Sequence, residues 1–206
     1  MIYLDHAAST PVRREVLEAM WPYLTGEFGN PSSHHTVGES AAMALATARS
    51  SIAAHLGVRP AGVIFTSGGT ESDNLAVKGI VLASTRGRHI ITSAIEHEAI
   101  LESVDYLVRH HGATATILPV DEEGLVSPAS LREAIRPDTA LVSIQHANNE
   151  IGVVQDIPAL VEAAGGVPFH TDAVQSAGWL PLDGLGADAI TIAGHKLGTP
   201  KGVGLL

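Results

Sequence analysis

The 206-residue sequence contains no cysteine. That excludes disulfides and thiolate metal sites, and any mechanism in which these residues supply a thiol nucleophile. Lysine is almost as scarce, with only Lys78, Lys196 and Lys201, and the formal net charge is −10. Nucleic-acid binding needs clustered Lys and Arg, so no nucleic-acid partner is expected. Charged residues make up 17%, below the usual quarter, so much of the chain should be buried. No basic amphipathic stretch suggests a membrane surface, and the longest apolar runs are strand-length, far short of a span. The start, Met1 to His6, lacks a basic region followed by an apolar one; no signal peptide is expected, and the expected place is the cytoplasm.

What is present is alternation. Short runs rich in Ile, Val, Thr and Leu, bounded by turn residues, predict strands at 63–67, 89–93, 114–120, 140–144, 167–171, 187–192 and 202–206. Between them, apolar residues at threes and fours predict helices at 39–56, 71–83, 97–110, 127–135 and 157–164. Ser127-Pro128 suits an N-cap followed by Pro at the first helical position. Such alternation implies an α/β fold, a three-layer α/β/α sandwich around a mostly parallel seven-stranded sheet. Too few residues separate the last two strands for a helical crossover, so the seventh strand should run antiparallel. Residues 26–34 form a Gly/Pro/Ser loop, either a functional loop or a plain connector.

Five segments could carry chemistry, and each follows a predicted strand. Gly68-Gly69-Thr70-Glu71 opens a helix, where backbone N–H groups can cradle an anion, or where Thr70 is simply part of a turn and cap. Lys196, in Gly194-His195-Lys196, is either an amine for a Schiff base or a surface lysine in a hairpin; Lys201 is a fallback. Asp172 ends a strand where open α/β sheets bind ligands; one helical turn would bring Gln175 to its side, though an N-cap role competes. His97 could stack on a flat ligand or move protons. No second histidine follows at helical spacing, which argues against zinc, and no metal is expected. Asn148-Asn149 could orient a polar ligand or serve as turn residues.

Together with Tyr3-Leu4-Asp5-His6-Ala7-Ala8, Phe28-Gly29-Asn30-Pro31, Asn148-Asn149-Glu150-Ile151-Gly152, Asp172-Ala173-Val174-Gln175 and Pro200-Lys201-Gly202, these motifs run nearly end to end. In combination the chain resembles the cysteine desulfurases, a branch of the class V aminotransferase group with the fold-type-I pyridoxal-phosphate architecture. The resemblance implies pyridoxal 5′-phosphate as cofactor and roles at matching positions. Lys196 would bear the cofactor and shuttle the substrate α-proton. Asp172 would pair with the pyridine nitrogen, Gln175 would bond the ring hydroxyl oxygen, and His97 would stack on the ring and assist proton transfer. Gly69, Thr70 and His195 would hold the phosphate, and Asn148 would sit near the ring and the substrate carboxylate.

The resemblance also implies removal of sulfur from L-cysteine to leave alanine, a homodimer, and a sulfur-acceptor or scaffold partner. Residues 1–15 would contribute to a small domain and 16–206 would form the cofactor-binding large domain. Three departures stand out. Ala193 stands where the family often has serine, Leu197-Gly198-Thr199 differs from the commoner variants, and the family's nucleophilic cysteine and carboxylate-binding arginine lie on later segments. The chain therefore reads as a fragment without the C-terminal small domain, inactive in desulfuration by itself. The alternatives are a selenocysteine lyase, another class V aminotransferase, or a non-catalytic remnant that binds cofactor or a partner.

Overall fold

The computed structural model describes residues 2–206. Seven strands form one sheet: β1 (Phe65–Thr66), β2 (His89–Ser93), β3 (Thr114–Leu118), β4 (Thr139–Ser143), β5 (Phe169–Asp172), β6 (Ala189–Ala193) and β7 (Gly204–Leu205). Their spatial order is β1-β7-β6-β5-β4-β2-β3. Strands β3, β2, β4, β5 and β6 pair in parallel, whereas β7 lies antiparallel between β6 and β1. The short link from β6 to β7 forces that reversal, as the spacing predicts.

Six helices accompany the sheet: α1 (Arg14–Thr25), α2 (Thr36–Leu56), α3 (Gly69–Ala83), α4 (Glu98–His111), α5 (Pro128–Ala134) and α6 (Ile157–Ala164). Strands β2, β4 and β5 are buried along their whole length, so both of their faces are covered. Ile90 and Leu141 pack with Val77, Val81, Ile100 and Leu107 of α3 and α4 on one face. Ile91 and Val142, one residue along, pack with Leu131, Ile157 and Leu160 of α5 and α6 on the other. The result is the expected three-layer sandwich.

The differences from the sequence reading lie at edges and ends. The predicted strands 63–67 and 202–206 shorten to the two-residue β1 and β7. Helix α1, absent from the sequence reading, buries none of its residues and contains Pro22. Trp21, Leu24, Phe28 and Met43 around α1 and α2 are exposed.

Two glycines fit this end of the sheet together. A Cβ on Gly204 would lie 2.6 Å from the Gly68 backbone, so β7 can pass behind the turn into α3 only without a side chain. Gly204→Ala is therefore expected to destabilise the chain by about 1–3 kcal/mol, as overpacking does. The urea midpoint measures this; an unchanged midpoint would show that the turn into α3 moves freely.

Candidate active site

A cavity of about 210 Å³ opens at the carboxyl edge of the sheet. It is lined by Gly69 and Thr70 at the start of α3, His97 before α4, Asp172 and Gln175 after β5, and His195 and Lys196 after β6. All seven come from segments that follow strands, where a parallel sheet points its strand ends and helix N-termini together. Of the eight predicted site residues, Asn148 alone is absent from the lining; Gln145, Ala147 and Asn149 take that side.

Each position has a local cause. Gly69 sits so close to the sheet that a Cβ would lie 2.9 Å from Val174. Its closeness aims the free N–H groups of the first turn of α3 at the cavity. Ser67 N–H donates to Glu71 Oε2 at 2.6 Å, which folds the preceding loop onto the helix start. His97 is the N-cap of α4: its Nδ1 accepts from Ala99 N–H at 3.1 Å. Its ring remains exposed at the cavity rim.

Asp172 is the last residue of β5, and its Oδ1 accepts from Val174 N–H at 2.8 Å. Residues after it form successive turns rather than a regular helix, and Gln175 Nε2 donates to Ala7 O at 3.0 Å. Lys196 closes a 3-10 turn, Gly194–Lys196. Its Nζ donates to the carbonyls of Ala7 and Ala8. The N-terminal segment is thus drawn over the cavity. Thr10 secures it by donating its hydroxyl to His195 O at 2.7 Å, and Arg13 N–H donates to Gly198 O at 2.9 Å.

Asn148 is buried with both ends of its amide hydrogen-bonded. Nδ2 donates to Ile95 O at 2.9 Å, and Oδ1 accepts from Glu150 N–H and Ile151 N–H at 2.7 and 2.9 Å. It builds the loop, and Asn149 is the asparagine at the cavity. Asn148, expected near the ring and the substrate carboxylate, is not among the residues that line the cavity.

Charge is unevenly distributed. Burial pushes Asp172 upward, opposed by the Val174 N–H, His97 and Lys196. Burial pulls Lys196 below the usual lysine range, opposed by Asp172 and Asp5. Beneath them lie two further buried acids that the sequence reading did not single out. Burial and the Asp172 charge raise Asp73 to about 8, and burial raises Glu96 to about 8. His170, pushed down to about 3 by burial, is neutral and supplies them no counter-charge. Its Nδ1 pairs with Ser143 Oγ and its Nε2 with Thr191 Oγ1, both at 2.9 Å. Three desolvated carboxyls cannot all ionise side by side. Of the three, Asp172 is the one that His97 and Lys196 draw toward its ionised form.

The family model for aminotransferase class V matches residues 2–206. The chain belongs to the aminotransferase class V family. It is similar to the cysteine desulfurase IscS of Dictyoglomus turgidum, 51% identical over all of this chain and 53% of that relative. An IscS-like cysteine desulfurase of Mycobacterium tuberculosis is 50% identical over all of this chain and 55% of its own length. Among solved structures, SspA in complex with cysteine superposes with a TM-score of 0.95 at 42% identity, covering 100% of this chain and 60% of that one. The apo cysteine desulfurase of Thermococcus onnurineus gives 0.90 at 28%, covering 99% and 52%. The chain thus spans about half the length of the curated relatives it matches.

The buried acids make stability pH-dependent. Asp73 has a folded-state pKa of about 8, against about 3.9 unfolded. Its contribution is complete below the unfolded value and is lost as pH rises through 8. Asp73→Asn removes this loss, so the variant should gain on the wild type between pH 5 and 9, by more than about 1 kcal/mol at the upper end. Urea midpoints across that range measure it; parallel curves would show Asp73 to be ionised throughout.

Proposed function

We propose that this chain is the cofactor-holding large domain of a pyridoxal-phosphate-dependent cysteine desulfurase. The observation that carries the reading is the facing of Asp172 and Lys196 across one small cavity whose third wall is the N-terminus of α3. A buried carboxyl, an amine with lowered proton affinity and an anion cradle are the three groups that this cofactor requires. When bound, pyridoxal phosphate supplies an aldehyde for an amine and a cationic ring that withdraws electrons.

The chain's own residues divide the work. Asp172 would hold the ring nitrogen as a cation, and Gln175 would turn from the Ala7 carbonyl to the ring hydroxyl. The free N–H groups at Gly69 and Thr70, the Thr70 hydroxyl and His195 would hold the phosphate; Ala193 adds no hydroxyl. His97, exposed on the rim, would cover the ring face and pass a proton. Lys196 Nζ, released from the Ala7 and Ala8 carbonyls, would accept and return the substrate α-proton, a task its lowered pKa suits. Asn149 would take the place expected for Asn148 beside the substrate carboxylate.

L-Cysteine as substrate is supported by the relatives' names and by the cysteine complex of the similar structure. None of the 206 residues is a cysteine, so the thiol that takes the sulfur comes from outside them. A homodimer and a sulfur-accepting protein complete the reading. Residues 1–15, which reach the rest through bonds to the 194–198 turn, fall to the small domain and 16–206 to the large one.

Mixing the chain with pyridoxal phosphate, reducing with borohydride and mapping by mass tests the site. Label should fall on Lys196 and vanish in Lys196→Ala; label spread over Lys78, Lys196 and Lys201 would contradict it. At the relatives' full length, the protein should release alanine from L-cysteine. Amino transfer, or turnover of selenocysteine alone, would move it to another branch of the family.

A further inference from the structure

Glu96 is buried between two loops and makes its contacts in one direction. Both of its carboxyl oxygens accept from Gln145 N–H, at 3.1 and 2.9 Å. The Ser93 hydroxyl donates to the same carboxyl from the end of β2. The neighbouring Ile95 carbonyl accepts twice more across the same gap, from Gln145 Nε2 at 2.6 Å and from Asn148 Nδ2 at 2.9 Å. Residues 95–96 and 145–148 are therefore stitched together by side-chain and backbone bonds that all cross the same gap.

The two loops are the two rims of the cavity. His97 follows Glu96 directly, and Asn149 follows Asn148. We infer that Glu96 is a positioning residue: its buried carboxyl ties the loop carrying His97 to the loop carrying Asn149 and so fixes one rim of the cavity against the other. What the rims close upon rests on the cofactor reading; the tie itself does not.

An apolar residue at position 96 would avoid the cost of burying an acid but would leave Gln145 N–H unpaired in the interior. A carboxyl reaches both Gln145 N–H and the Ser93 hydroxyl from one planar group. Two titratable groups face it from other elements, Asp172 at the end of β5 and Asp73 on α3. Burial and Asp172 raise the carboxyl to about 8, while the Ser93 hydroxyl and the Gln145 N–H both donate to it and so favour its ionised form.

Amide hydrogen exchange of the full chain tests this without cofactor. Glu96→Ala should lower protection at Gln145 by about tenfold or more, the size of one lost buried hydrogen bond, while β2 and α6 keep theirs. Glu96→Gln retains a carbonyl acceptor and should restore most of the protection. If Glu96→Ala does not fold, Glu96→Asp decides: its carboxyl, one methylene shorter, should leave Gln145 with about tenfold less protection. Unchanged protection at Gln145 in Glu96→Ala, or in Glu96→Asp where only that variant folds, would overturn the inference.

In protein loaded with pyridoxal phosphate, visible circular dichroism gives the second readout. Its intensity should drop at least about twofold in Glu96→Ala and recover in Glu96→Gln. Dichroism of wild-type strength in a folded Glu96→Ala would overturn the positioning role. Failure of the wild type to take cofactor at Lys196 would instead sink the cofactor reading, leaving the exchange result to judge the tie.

Discussion

Asp172 stands at the end of β5 with little water around it, and nearly every feature of the cavity answers to that one carboxylate. Burial raises it, while the Val174 N–H, His97 and Lys196 draw it toward its ionised form. Burial raises Asp73 and Glu96 as well, and His170 is held uncharged between Ser143 and Thr191. One carboxyl drawn toward ionisation thus faces the cavity, beside one amine and one helix N-terminus. The sandwich makes this possible because β4 and β5 are dry on both faces and, with β6, deliver their ends to a common edge.

The same dryness accounts for the tight backbone approaches. Gly69 nearly touches Val174, and Gly204 passes behind Gly68. Side chains at either place would push α3 off the sheet and carry its N-terminal N–H groups away from the cavity. The fold and the anion cradle are therefore one packing problem.

Much of this was legible in the sequence. The central strands and helices announced themselves because burial on both faces leaves continuous apolar runs, and the glycine-ended helices gave clear stops. Helix α1 did not: it buries nothing, and Pro22 interrupts its pattern. The site residues at strand ends could be found one by one, since each followed a run. Asn148 and Asn149 could not be told apart, because no period governs a loop and only the Ile95 carbonyl, 53 positions away, decides which amide turns inward. Asp73 left a usable signal, lying four and eight residues before Val77 and Val81 on the inward stripe of α3. Glu96 left none, since its partner Gln145 is distant in sequence.

The central claim is that Asp172 alone meets a cationic ring nitrogen. The most direct test compares the binding of pyridoxal phosphate with that of its analogue carrying carbon in place of the ring nitrogen, in the wild type and in Asp172→Asn. The account predicts a wild-type preference for the nitrogen ring of about tenfold or more, in line with a charge-assisted hydrogen bond, and its loss in the variant. Equal binding of both rings by the wild type, or a preference that survives in Asp172→Asn, would contradict it.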